Sequence, residues 1–300
     1  MKSNINILFA SLIVGGSFLM MSLPTKAQRF SLKPHAEIGL GNVMSKDFEV
    51  SGIESSAHSN EFGLDFGYTF FQKGKNALEV NIGLGYRNLS LDMKSKGFDY
   101  HYNAPAAADM DGNEYIRYYE ISDMRQKVNA GYLTLPVYLD YAFYFTDWFA
   151  LHADLGVKFG FKCSSKIKSV EGESYSYGIY PEYADLMIDA DWLNDFGNTN
   201  LANANKGCVP ARGFDASLLL GLGLQFRIVD PLWLDLGIRY DCGFSDLFRS
   251  KYDVGKGFTS TDAPVVYTVA EGQTVKSLTS MMKKSKLNPL YLNVGFTIKF

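Results

Sequence analysis

Apolar and polar residues alternate with a period of two along most of the chain. The run from Phe214 to Ile228 shows it most cleanly. Phe214, Ala216, Leu218, Leu220, Leu222, Leu224, Phe226 and Ile228 share one face, and Asp215, Ser217, Leu219, Gly221, Gly223, Gln225 and Arg227 share the other. A period of two is the signature of a strand with two different environments. A wetted face would be rich in Lys, Thr and Glu. Here the second face is small and polar with repeated Gly, which suits a crowded interior. The same pattern predicts further strands over about 30–42, 60–71, 77–93, 127–145, 149–165, 232–244 and 289–300. Each reaches the roughly 9–11 residues that a tilted membrane-spanning strand needs.

The connections alternate in length. Segments 72–76, 146–148 and 229–231 are tight turns, whereas 43–59, 94–126, 166–211 and 245–288 are long. Short turns on one side and long loops on the other are the habit of membrane barrels. Eight strands with three turns and four loops place both mature ends on the short-turn side. Phe70, Phe71, Phe143, Phe145, Trp148, Phe149 and Trp233 gather near the turns as an interfacial aromatic girdle. Two irregularities stand out. After Arg87 the apolar phase flips to Leu89, Leu91 and Met93, which predicts a bulge near Arg87-Asn88 or emergence from the membrane. Pro136 lies inside a strand and removes a ladder donor, so a local distortion is expected there.

The N-terminus adds a location. Lys2 precedes an apolar stretch from Ile7 to Met21, Pro24 breaks it, and Thr25-Lys26-Ala27 offers a cleavage site. This is the layout of a secretory signal peptide. The expected division is a leader over 1–27 and a barrel domain over 28–300. Losing Lys2 and Lys26 takes the formal charge from −3 to −5, which argues against a nucleic-acid partner. The expected fold is all-β: an eight-stranded antiparallel up-and-down transmembrane β-barrel in a bacterial outer membrane, with long extracellular loops. A short helix is expected in the third loop, opened by Pro181 and carrying Tyr183, Leu186, Met187, Ala190 and Leu193 at helical spacing. A weaker one is expected over 274–285.

The inward face carries the chemistry. It offers Lys33, Glu37, Asp65, Glu79, Arg87, Asp140, His152, Asp154, Lys158, Arg227, Asp235 and Arg239, and with them His35, Glu61, Lys162, Gln225, Asp241 and Lys299. Acids and bases look nearly balanced. An eight-stranded barrel is only wide enough for side chains to fill, and buried charges must pair. A salt-bridged plug is therefore expected in place of an open pore. His152 and Asp154 share the inward face, yet no motif places a nucleophile beside them. The four histidines show no metal-ligand spacing, and Asp109-Met110-Asp111-Gly112-Asn113-Glu114 lacks the spacing of a calcium loop. No catalytic residue, metal or cofactor is expected. Cys163 and Cys208 border strands that should be neighbours, so a disulfide between them is a candidate, with Cys242 competing for Cys208.

Tyr132-Leu133-Thr134-Leu135-Pro136-Val137-Tyr138-Leu139-Asp140-Tyr141 resembles the Tyr-Leu-x-Ile/Leu-Pro strand of PorT-like outer-membrane β-barrel proteins. The ending Leu290–Phe300, with Phe296, Ile298 and Phe300 in alternation, is similar to the last strand that barrel-insertion machinery recognises. The resemblance implies an outer-membrane barrel and carries over no functional residue. The family's namesake is associated with a secretion system. The expected partners are outer-membrane lipid, the barrel-assembly machinery during insertion, and a protein or glycan at the extracellular loops. The expected role is a non-enzymatic structural or surface-interaction scaffold. A barrel enzyme acting on outer-membrane lipid and a small pore are the alternatives.

Overall fold

The computed structural model describes residues 29–41, 44–48, 52–96, 98–102, 107–108, 111–121, 123–189, 196–200, 211–248, 255–256, 266–269, 278 and 282–300. The leader segment lies outside them. Eight strands form a closed antiparallel cylinder: β1 (Phe30–Leu40), β2 (Ile53–Lys73), β3 (Asn76–Ser95), β4 (Met124–Thr146), β5 (Phe149–Glu171), β6 (Phe214–Val229), β7 (Leu232–Gly243) and β8 (Leu290–Lys299). Each strand pairs with its neighbours in sequence, and β1 closes the ring on β8. Closure leaves no unpaired edge, which hydrocarbon would not tolerate.

Outward positions form an apolar belt. Phe62, Leu64 and Phe66 on β2, Ile82, Leu84 and Tyr86 on β3, and Leu220, Leu222 and Leu224 on β6 all point away from the ring and are exposed. In water such a surface would drive aggregation; in a bilayer it is the lipid contact. Inward positions on the same strands are buried and polar.

The phase flip on β3 has a different cause from a register slip. Pairing with β2 runs without a break from Ile53↔Ser95 to Thr69↔Glu79, and the irregularity falls at Thr69/Phe71 instead. No bulge occurs at Arg87-Asn88. Inward and outward keep alternating, and what changes is the medium on each side. Below Arg87 the outside is lipid and the inside polar. Above it, the outward Ser90, Asp92 and Lys94 replace the apolar belt, and the inward Leu89, Leu91 and Met93 are buried. The strand has left the membrane, and its inner face becomes the core of an ordinary water-bathed structure.

β2, β3, β4 and β5 are 21, 20, 23 and 23 residues long and project past the belt. Inside this upper part lies the main hydrophobic core. Leu89, Leu91 and Met93 of β3 and Met124, Val128 and Ala130 of β4 pack against Leu247, Phe248 and Leu278 from the chain between β7 and β8. That chain is pinned in the mouth. Ser285 Oγ donates to the Phe248 carbonyl and accepts from its N–H, both at 2.9 Å. The Leu278 N–H donates to Gln126 Oε1 at 2.7 Å.

Pro136 distorts the ladder as expected. Between β3 and β4 the pairing passes from Ile82↔Val137 to Gly85↔Thr134 and lapses at Leu135-Pro136. A Cβ on Gly83 would lie 2.9 Å from Pro136 Cγ and would strike the Asp65 carboxylate, so only glycine fits.

The loops build a second sheet from Leu186–Ile188, Glu173–Tyr180, Glu114–Ile121, Phe98–Tyr102, Val266–Val269 and Gly255–Lys256, in that order. Gly197–Asn200 and Ala107–Ala108 pair off its path. Tyr115, Tyr180 and Phe196 form its small core. The third-loop helix is a correction. Pro181 opens a single 3₁₀ turn, Pro181–Tyr183. Ala184 and Asp185 then enter the left-handed region at φ 54° and 58°, which ends any helix. Leu186–Ile188 is a strand on Glu173–Tyr180; Ala190 and Leu193 lie outside the described residues. Of the second expected helix, 274–277 and 279–281 lie outside the described residues, and its end is corrected: Met282–Leu287 is a strand paired with Met44–Phe48.

Candidate functional site: the closed lumen

The sequence-predicted inward residues meet where the alternation put them. Fourteen of the eighteen are buried; His35, Arg227 and Lys299 are partly buried and Lys162 is exposed. Arg227 sits at the rim and pairs with exposed Asp230 at 3.2 Å. Around Lys158, Nζ reaches Asp241 at 2.9 Å, Glu37 at 3.1 Å and Glu61 at 3.2 Å. Arg239 bridges Glu37 at 3.0 Å and Asp154 at 3.1 Å, and donates to the Tyr138 hydroxyl at 3.0 Å. That hydroxyl donates on to Asp65 at 2.7 Å. Nearer the turns, Lys33 pairs with Glu79 and, at 2.7 Å, with Asp140. Nearer the cap, Arg87 pairs with Asp215 at 2.7 Å, and its guanidinium lies over the Tyr132 ring.

Asp215, which alternation places on the interior face of β6, joins the network with Tyr138 and Tyr291, two inward residues not named among the candidates. All three occupy inward positions by simple alternation, so the signal was present. The tyrosines lend hydroxyls to the polar network while their rings fill the barrel.

The expected charge balance is corrected. Among the described residues, nine buried carboxylates (Glu37, Glu61, Asp65, Glu79, Asp140, Asp154, Asp215, Asp235 and Asp241) face four buried cations, Lys33, Arg87, Lys158 and Arg239. The other bases counted as inward do not reach the interior fully: Lys162 is exposed, and Arg227 and Lys299 are only partly buried. Lys299 instead donates to the Tyr144 hydroxyl at 2.6 Å near the short-turn end.

His152 lies deep in the wall, with Nδ1 3.4 Å from Asp154 and 3.8 Å from Asp140. No serine, threonine or cysteine stands beside it in the lumen as a nucleophile among these contacts. Cys163 is an exposed free thiol on β5 and Cys242 is a free thiol on β7. Cys208, the candidate partner of Cys163, lies outside the described residues. On β8, Phe296 faces lipid, Ile298 is covered by its neighbours, and the Phe300 ring stacks on Phe30 at 6.2 Å.

A closed antiparallel cylinder with a lipid-facing belt and a packed polar interior defines a transmembrane β-barrel of the bacterial outer membrane. More particularly, the chain belongs to the outer membrane protein beta-barrel domain family, whose profile matches residues 26–249. Among solved structures it is similar to the outer membrane protein OprG of Pseudomonas aeruginosa, at 13% identity and a TM-score of 0.40, covering 92% of this chain and 97% of that one. It is also similar to Ail, the attachment invasion locus protein of Yersinia pestis, at 10% identity and a TM-score of 0.30, covering 90% and 99%. The outer membrane protease OmpT of Escherichia coli gives 10% identity and a TM-score of 0.30, covering 91% and 94%. No curated protein matches the chain.

Proposed function

We propose that this barrel is a non-enzymatic scaffold that holds its loop sheet at the cell surface for interaction with a protein or glycan. The observation that carries this reading is the double closure of the barrel beneath an elaborate surface sheet. Ion-paired side chains fill the lower lumen, and the Leu247–Phe248–Leu278 core fills the upper one. A path for solutes would require both to move. His152 and Asp154 are sealed within the same lumen, out of reach of membrane lipid at the barrel rim, which speaks against a lipid-modifying enzyme. The resemblance to PorT-like barrels leaves a secretion-linked partner within the same reading.

The loop sheet has the features of a contact surface. Among the described residues Leu186–Ile188 is its terminal strand, and Tyr183, Leu186 and Met187 are exposed there at 54%, 51% and 51%. An open strand edge with apolar side chains is a template for a partner.

Two experiments test the proposal. The refolded protein in a planar bilayer is expected to give no stable channel; sustained single-channel steps would replace the scaffold reading with a pore. On intact cells, crosslinking from the loop sheet is expected to capture one recurrent partner. The Leu186→Asp, Met187→Asp double variant should lose that capture while its barrel refolds normally. Equal capture by both chains would remove the edge strand from the interaction.

A further inference from the structure

We propose that the lower lumen binds a single zinc-like divalent metal ion between Asp140, Asp154 and His152. The inference is independent of the scaffold reading, since an interior ion and a surface partner make separate demands.

Asp140 of β4 and Asp154 of β5 are direct cross-strand partners. Two carboxylates facing each other across a ladder repel unless a cation lies between them. Their outer oxygens are already engaged: Lys33 holds Asp140 Oδ2 at 2.7 Å, and Arg239 Nε holds Asp154 Oδ2 at 3.1 Å. The remaining Oδ1 atoms both turn to His152 Nδ1, at 3.8 and 3.4 Å. All three atoms lie within 4.8 Å of one another. Ligands around a tetrahedral zinc with bonds of about 2.0–2.1 Å stand roughly 3.3–3.4 Å apart, so Asp154 Oδ1, at 3.4 Å from Nδ1, already has that spacing, and Asp140 Oδ1, at 3.8 Å, stands close to it. One imidazole and two carboxylates is a donor set that zinc accepts. Lys33 and Arg239 would then act as the outer partners that fix ligand carboxylates in place.

Three further observations favour a cation at this place. Asp140 Oδ1 is buried, in a residue only 4% exposed, and has no hydrogen-bond partner. A cavity of about 20 Å³ adjoins it, lined also by His152, Gln225 and Asp235 and by the two cations, Lys33 and Arg239, that hold the outer carboxylate oxygens. That is room for a water-sized occupant. Gln225 Oε1 and Asp235 Oδ1 are also buried without hydrogen-bond partners, so the cavity supplies acceptors to complete a coordination shell. Finally, nine buried carboxylates against four cations leave the interior short of positive charge, a deficit that a divalent ion reduces. His152 lies only three residues into β5, nearer the short turns than the apolar core that closes the other mouth.

The alternative occupant is a proton, with His152 as an imidazolium shared by the two acids. Zinc distinguishes them. The full mature barrel, with its cysteines replaced by serine, is refolded in detergent, stripped with chelator and dialysed against zinc. It should retain about one ion per chain and unfold at a higher temperature than the stripped form. His152→Gln and Asp140→Asn, checked for folding by heat-modifiable gel mobility, should retain none. Should either variant fail to fold, cobalt(II) added to the cysteine-free parent gives an independent reading through the visible ligand-field bands of a nitrogen–oxygen site. A parent that holds no zinc and shows no such bands, or folded variants that hold as much zinc as the parent, would overturn the proposal.

Discussion

Lys158→Met is expected to lower the unfolding free energy of the refolded barrel by about 3–5 kcal/mol, the usual cost of leaving one side of a buried ion cluster unpaired. The ammonium touches Asp241, Glu37 and Glu61 within 3.2 Å and is 2% exposed. Methionine restores most of the volume, so packing explains little of the loss. The cost is electrostatic, because three carboxylates then face each other in an interior that already has too few cations. Adding Asp241→Asn should recover part of the loss by removing one of those charges. Urea unfolding in lipid vesicles, followed by tryptophan fluorescence, measures both. A single variant within 1 kcal/mol of the parent would mean that water reaches Lys158 freely, and the sealed lumen would have to be given up.

The second large effect falls on the other side of the wall. Leu84→Arg places a charge on the outward face of β3, midway up the apolar belt, where arginine costs about 2–4 kcal/mol in a barrel. Ser90→Arg, three positions further along the same face in the alternation, should cost less than about 1 kcal/mol, because that position lies beyond the hydrocarbon. The pair marks the upper membrane boundary between Tyr86 and Ser90. Equal costs from urea titrations of the two variants would put the boundary elsewhere.

The strands were legible because barrel alternation is a local property. The run from Phe214 to Ile228 shows it at every position but Leu219, an apolar residue on the inward face, and the three tight turns lie where the pattern predicts them. Beyond Arg87 the sequence was open to two readings. A shift of apolar residues to the other phase is what a register slip produces, and also what crossing a membrane surface produces. Only the pairing of β2 with β3 separates them. The third-loop helix failed for a related reason. Tyr183, Leu186 and Met187 have helical spacing, but short strands borrow stability from partners distant in sequence, and Glu173–Tyr180 supplies one. The lumenal residues were found by parity, while their charge balance was not. Parity says which way a side chain points and not how deep it lies, so Lys162, Arg227 and Lys299 were credited to an interior that they do not fully enter. The Asp140–His152–Asp154 cluster was invisible for the same reason: it depends on the register that sets Asp140 opposite Asp154.

The four tall strands set a height. Above Leu133 and Phe161, β4 and β5 continue as a water-exposed stem, and at strand rise and barrel tilt the stretch from Tyr132 to Met124 climbs roughly 20–25 Å. The tyrosine-bearing sheet follows directly on these strands and so stands well clear of the apolar belt. For the contact surface proposed above, this height lets a large partner dock without pushing through to the bilayer.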